Sequence, residues 1–170
     1  MPGELYDVAT QKDAIQGYFE KETALNLQWL PSYVEEFPRA VQGVNLEWKQ
    51  CPFLKASKEL IPDCHGVYCF SVKLGNPFPD EIHLPLYIGK AAPGFLSERF
   101  ETYFKERDNT KGRSKVVVML NKYRDNLFFW WTKLPRIYVD TVEEHLLMCC
   151  KPPCNEQVPS RQRLWGRAFE

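Results

Sequence analysis

The feature that most restricts the fold is the order of patterned segments after residue 65. GVYCFSVKL (66–74) sets Val67, Cys69 and Ser71 against Tyr68, Phe70 and Val72, the period of two that a strand requires. A turn-like GNPFPDE separates it from IHLPLYIGKA (82–91), a second β-rich run, and the pair reads as a hairpin with a long loop. LSERFETYFKERD then places Leu96, Phe100, Tyr103 and Phe104 on one side with charges opposite, an amphipathic helix. The apolar run of SKVVVMLNKYRD suits a buried helix or a strand and is assigned to helix, whereas LFFWWTKLP reads as an aromatic strand. DTVEEHLLMCC reads as a helix with Asp140 as N-cap, acidic residues in its first turn and a stop before Pro152 and Pro153. The order β, β, α, α, β, α predicts an α+β domain.

The leading region is less patterned. Thr10 is an N-cap for a helix over 10–24 carrying Ala14, Tyr18 and Phe19, and a second helix is expected from Pro31 to Phe37, closed by Pro38. Residues 43–63 show no clear period and read as irregular or short-stranded. The expected division is an N-terminal extension over 1–62, mainly helical or irregular and used for recognition, docking or dimerisation, a domain over 63–158, and a tail over 159–170. Hydrophobic residues at 44% and balanced charge exclude a disordered chain. No run approaches the ~20 apolar residues of a membrane span, and the opening MPGELYDVATQKD has no basic flank before an apolar stretch. A cytoplasmic protein without a membrane partner is the expectation.

The formal charge is zero, with 22 basic and 22 acidic groups, yet its distribution is uneven. Residues 90–136 carry 11 basic and five acidic groups, and every other part is acidic or near neutral. A ligand responds to the local field, so a phosphate-binding face is compatible with neutrality overall. The competing reading of such a segment is a solvated basic surface. His145, Cys149, Cys150 and Cys154 have the residue types of a zinc site but no CxxC knuckle, and buried free thiols are the preferred reading.

Several residues in this frame suit phosphate chemistry. The second strand run ends in Tyr87-Ile88-Gly89-Lys90, where a glycine permits close backbone approach and a lysine offers a point charge. Arg99 lies on the following helix with Tyr103 one turn later on the same side. An arginine fork matches phosphate oxygens, and Glu143 offers a hard oxygen ligand for a divalent cation completed by water and phosphate.

In this arrangement the chain resembles the GIY-YIG nucleases. Gly66-Val67-Tyr68 is similar to the first signature triplet, Tyr87-Ile88-Gly89 to the second with Lys90-Ala91 after it, and Leu96-Ser97-Glu98-Arg99 to the helix with the catalytic arginine. Glu143, Leu146-Leu147, Pro152 and Asn155 resemble the closing pattern of metal-binding glutamate, apolar pair, proline and asparagine, with Glu144 the competing choice of ligand. The resemblance covers about 66–157, and 18 residues separate Tyr68 from Tyr87, a longer interval than the family usually has, in a loop where insertion costs little.

The resemblance implies a small twisted antiparallel sheet flanked by helices. It makes Tyr87 the general base, Tyr68 its neighbour that orders the water or shares that role, Arg99 the phosphate clamp and Glu143 the ligand of one Mg2+ or Mn2+ ion. Tyrosine ionises near about pH 10 in water, so such a base needs cations, and Lys90 and the metal would supply them. Asn155 would bind near the phosphate or fix the site's shape. Gly66, Gly89 and Tyr103 would support the site, and Lys105, Arg107, Lys111, Arg113, Lys115, Lys122 and Arg124 would track the nucleic-acid backbone. The implied activity is metal-dependent hydrolysis of duplex DNA to 5′-phosphate and 3′-hydroxyl ends, as in a restriction or host-defence nuclease, with a homodimer or sequential nicks for duplex breaks. The alternatives are RNA or branched DNA as substrate at the same site, or a catalytically idle module that binds nucleic acid or a protein partner.

Phe129, Trp130 and Trp131 are expected to pack in the core rather than stack on bases. The basic tail RQRLWGR (161–167) would enter a groove or dock on the domain.

Overall fold

A computed structural model of the chain describes residues 28–41, 43–109 and 112–156. The expected helix over 10–24, Lys111 and the tail over 159–170 lie outside them. The described elements are β1 (Gln28–Trp29), α1 (Pro31–Ala40), β2 (Lys49–Pro52), a 3-10 helix (Lys55–Leu60), β3 (Gly66–Lys73), β4 (His83–Ala91), α2 (Leu96–Arg107), α3 (Ser114–Lys122), β5 (Leu127–Lys133), α4 (Arg136–Cys149) and β6 (Cys150–Lys151). The chain is α+β, with a four-stranded antiparallel sheet in the order β2-β5-β3-β4 and helices on both faces. A two-stranded pair, β1 with β6, stands apart from it. No helix among the described residues is long and apolar enough to cross a membrane.

Register explains what each face buries. Across β3 and β4, Tyr68 pairs with Gly89 and Phe70 with Tyr87; across β3 and β5, Tyr68 pairs with Trp131 and Phe70 with Phe129. Directly opposed residues project to the same side, so these aromatics share one face. Against that face pack Leu96, Phe100 and Tyr103 of α2, spaced as one helical stripe, with Val116, Met119 and Leu120 of α3. Phe53 completes the layer, edge-on to Phe70 and Phe100 at ring separations of 5.1 and 5.0 Å. The opposite face buries Val67 of β3 under Val139 and Val142 of α4, together with Val41 and Leu134.

β4 is an edge strand, which is why Pro85 is tolerated within it. Its register slips next to Tyr87: Phe70 pairs with Tyr87 but Ser71 with Pro85, leaving Leu86 as the extra residue of a bulge. Leu86 and Tyr87 both join the α2–α3 core as a result.

Two elements differ from the sequence reading, and a third gains a partner that the reading did not name. α4 begins at Arg136 rather than at an Asp140 cap. Pro135 precedes it with φ of −56°, already suited to helix entry, and the extra turn buries Val139 completely. Burying such a side chain favours the longer helix by roughly 1.5–3 kcal/mol. Glu143 therefore sits mid-helix, not in a first turn where the dipole would explain it. α1 continues through Pro38 to Ala40; the missing N–H costs a single bond near the helix end. Residues 49–61, read as irregular or short-stranded, place β2 beside β5 and put Cys51, Phe53 and Ile61 into the same core as β3 and β4.

Candidate functional site

Tyr68 is at the centre of the aromatic face, 2% exposed, with its hydroxyl 2.8 Å from that of Tyr103. Its ring lies on the backbone of Gly89, where an added Cβ would be 2.6 Å from the phenol oxygen. Glycine at 89 is thus a packing requirement of Tyr68, and glycine at 66 is one of the β5 backbone, because a Cβ there would run into the carbonyl of Thr132. Burial pushes the Tyr68 phenol well above the ordinary tyrosine range, against the opposing pull of the Tyr103 hydrogen bond and of the Arg99 and Arg113 charges. Tyr103 is raised as well, again by burial first. In both tyrosines burial favours the neutral, hydrogen-bonding phenol.

Tyr87 is half-buried and opens onto a cleft of about 300 Å³ lined also by Arg113, Glu143, Leu147, Cys154 and Asn155. Its hydroxyl accepts a hydrogen bond from Arg113 Nη1 at 2.8 Å. The guanidinium lies over the rings of Tyr87 and Tyr103, 5.5 and 5.6 Å from their centroids. Its Nε and Nη2 donate to the two carboxylate oxygens of Glu106, each at 2.9 Å. Arg113 is thus tied to Tyr87 by its hydrogen bond while its side chain stays exposed.

Lys90 does not neighbour the Tyr87 hydroxyl. Strand alternation sends it to the α4 face, opposite Val67, where Nζ is 2.8 Å from Glu143 Oε2 and 2.9 Å from Asp140 Oδ1. The Glu143 hydrogen bond, with Asp140 adding to it, raises the Lys90 ammonium above the ordinary lysine range. The cation on Tyr87 is Arg113, which the sequence reading placed on the backbone-tracking surface.

Asn155 follows α4 and caps the free edge of β4. Its Oδ1 accepts from the Ile88 N–H at 2.9 Å and its Nδ2 donates to the Ile88 carbonyl at 2.8 Å, while the Cys154 N–H reaches the Leu86 carbonyl. The side chain acts as one further strand residue and fixes the backbone between Tyr87 and Gly89. Of the two glutamates considered, Glu143 is the half-buried one that lines the cleft, and Glu144 is exposed. Arg99 is half-buried on α2 outside the cleft lining, makes no ion pair among the described residues, and acts on Tyr68 through its charge.

The remaining basic residues divide. Lys105, Lys115 and Arg124 are exposed. Arg107 lies over Phe104 and pairs with Asp108, and Lys122 lies over Tyr123. Phe129 and Trp131 are core residues, and the Trp130 indole donates to Ser71 Oγ. No group of three or more His, Cys, Asp or Glu among the described residues is arranged to hold a metal, so the His145 and cysteine cluster is not a zinc site of that kind. All six cysteines are free, and burial raises the thiols of Cys51, Cys69, Cys150 and Cys154 strongly. Two carboxylates line the cleft, the half-buried Glu143 and the exposed Glu156, and Glu143 is the one on α4. One or two hard carboxylate ligands fit Mg2+, which keeps several waters and takes substrate phosphate oxygens.

The geometry thus brings Tyr87, Glu143 and Asn155 to one cleft, with Arg113 added, Lys90 on its far side and Tyr68 and Tyr103 beneath. No model of a known protein family, no curated protein and no solved structure matches the chain.

Proposed function

We propose that the chain is a metal-dependent endonuclease of GIY-YIG type that hydrolyses DNA phosphodiester bonds to 5′-phosphate and 3′-hydroxyl ends. The observation that carries this reading is the shared cleft: a strand tyrosine, Tyr87, and a helix glutamate, Glu143, face one cavity large enough for a phosphodiester. In this reading Tyr87 accepts the proton of the attacking water, and Tyr68 and Tyr103 brace it from below. Arg99, outside the cleft lining but near enough to act on Tyr68 through its charge, would stabilise charge on the phosphate oxygens. Glu143 holds Mg2+ or Mn2+, which when bound neutralises the leaving 3′-oxygen. Asn155 keeps the strand that carries Tyr87 in register, and Lys90 balances the Glu143 charge when no cation is there.

Duplex breaks from one such site need two copies or two successive nicks, and a restriction or host-defence role with a homodimer follows that logic. Supercoiled plasmid, branched DNA and RNA incubated with magnesium, each with Glu143→Ala and Arg99→Ala alongside, test the reading and choose the substrate. Cutting is expected for the native chain and not for the variants. A second reading, an idle binding module, is favoured by one observation: Arg113 already engages the Tyr87 hydroxyl and Lys90 the Glu143 carboxylate. Binding of DNA without cleavage of any of these substrates would select it.

A further inference from the structure

We propose that Arg113 is a second phosphate-holding arginine of the cleft, positioned by Glu106, and that it contacts the same phosphodiester as Tyr87. This rests on the nuclease reading and adds a group that the signature motifs do not contain. Arg113 stands just ahead of α3 and reaches back across α2 to the strand tyrosine. Three of its five N–H donors are committed, two to the Glu106 oxygens and one to Tyr87 Oη. The fork on Glu106 fixes the guanidinium plane, since two parallel charge-assisted bonds set orientation as well as distance. Glu106 is itself only 12% exposed on its side chain, so the clamp is a built one. The rings of Tyr87 and Tyr103 hold the cation in place. Yet the Arg113 side chain remains 45% exposed and lines the cleft, with two N–H donors uncommitted.

A guanidinium fixed 2.8 Å from the proposed base would sit beside any phosphate whose attacking water that base touches. A lysine would not serve, because its three donors share one nitrogen and cannot present the planar fork that holds both Glu106 oxygens in parallel.

The test uses the full chain with Arg113→Gln, Arg113→Lys, Glu106→Gln and the double variant Glu106→Gln/Arg113→Gln. The double variant removes the pair without leaving a half-buried carboxylate alone, and thermal melting checks that it folds. Two readouts are taken: the single-turnover rate of plasmid cutting with magnesium, and anisotropy of a fluorescein-labelled duplex with calcium in place of magnesium across a salt series. In the folded double variant and in Arg113→Gln the rate should fall about a hundredfold or more, and the slope of log affinity against log salt should flatten by about one. Arg113→Lys should restore the slope but not the rate. Glu106→Gln alone should keep the slope, since the cation remains, and lose about tenfold in rate through looser placement.

Folded Arg113 variants with the native rate and slope would overturn the assignment while leaving the nuclease reading intact. A native chain that neither binds nor cuts would bring down that reading and this inference together.

Discussion

Lys90 Nζ lies 2.8 Å from Glu143 Oε2 on the face of the sheet away from Tyr87. The carboxylate proposed to hold a divalent ion is thus already neutralised by an ammonium from the adjacent strand, and the two cations compete for it. Lys90→Met is expected to strengthen Mn2+ binding by Glu143 several-fold, as read by titration calorimetry. Weaker or unchanged binding would contradict the competition.

The same pair makes a prediction about pH. The folded-state ammonium of Lys90 is raised, chiefly by the Glu143 hydrogen bond. The stability it contributes is therefore fully present below the ordinary lysine value and is lost as pH rises through the raised folded one. The melting-temperature difference between the native chain and Lys90→Met should be flat through neutral pH and shrink only above about pH 10. A difference that vanishes near neutrality would show that the pair is not formed. Its magnitude should be modest, because Lys90 is more than a third exposed and solvent screens it.

Gly89→Ala places a methyl group 2.6 Å from the Tyr68 phenol oxygen. The expected loss is about 1–3 kcal/mol, the usual cost of overpacking, by urea denaturation. Tyr68→Leu in the same chain should recover part of that loss by removing the ring. Additive losses in the double variant would place the clash elsewhere.

Asn155→Ala removes both hydrogen bonds to Ile88 at the β4 edge. A loss of about 2 kcal/mol and faster exchange of the Ile88 amide are expected. Asn155→Asp, which can still accept from that amide, should protect it better than alanine does. Equal exchange in both variants would assign the stabilisation to other contacts.

Much of this arrangement was legible from residue patterns, and the failures have physical causes. Alternation in 66–74 and the stripe of Leu96, Phe100 and Tyr103 are local signals, and β3, β4 and α2 follow them. Lys90 was read as a neighbour of the Tyr87 phenol although the two are three residues apart on a strand, and period-two alternation sends them to opposite faces. That signal was in the sequence. The start of α4 was displaced because Asp140 has the chemistry of a cap, whereas burial of Val139 outweighs it. Arg113 had no local signal for this role: its contacts with Glu106, Tyr103 and Tyr87 join residues 7, 10 and 26 positions away in the chain. The pairing of β2 with β5 is likewise non-local and follows from the apolar face it completes, not from any pattern within 49–52.

The central claim is that Tyr87 and Glu143 act on one phosphodiester. It is tested most directly by incubating supercoiled plasmid with magnesium and the native chain, Tyr87→Phe or Glu143→Gln, each first confirmed as folded. Nicked or linear product with 5′-phosphate ends is expected from the native chain, with a loss of at least about a hundredfold in each variant. Undiminished cutting by either variant would contradict it.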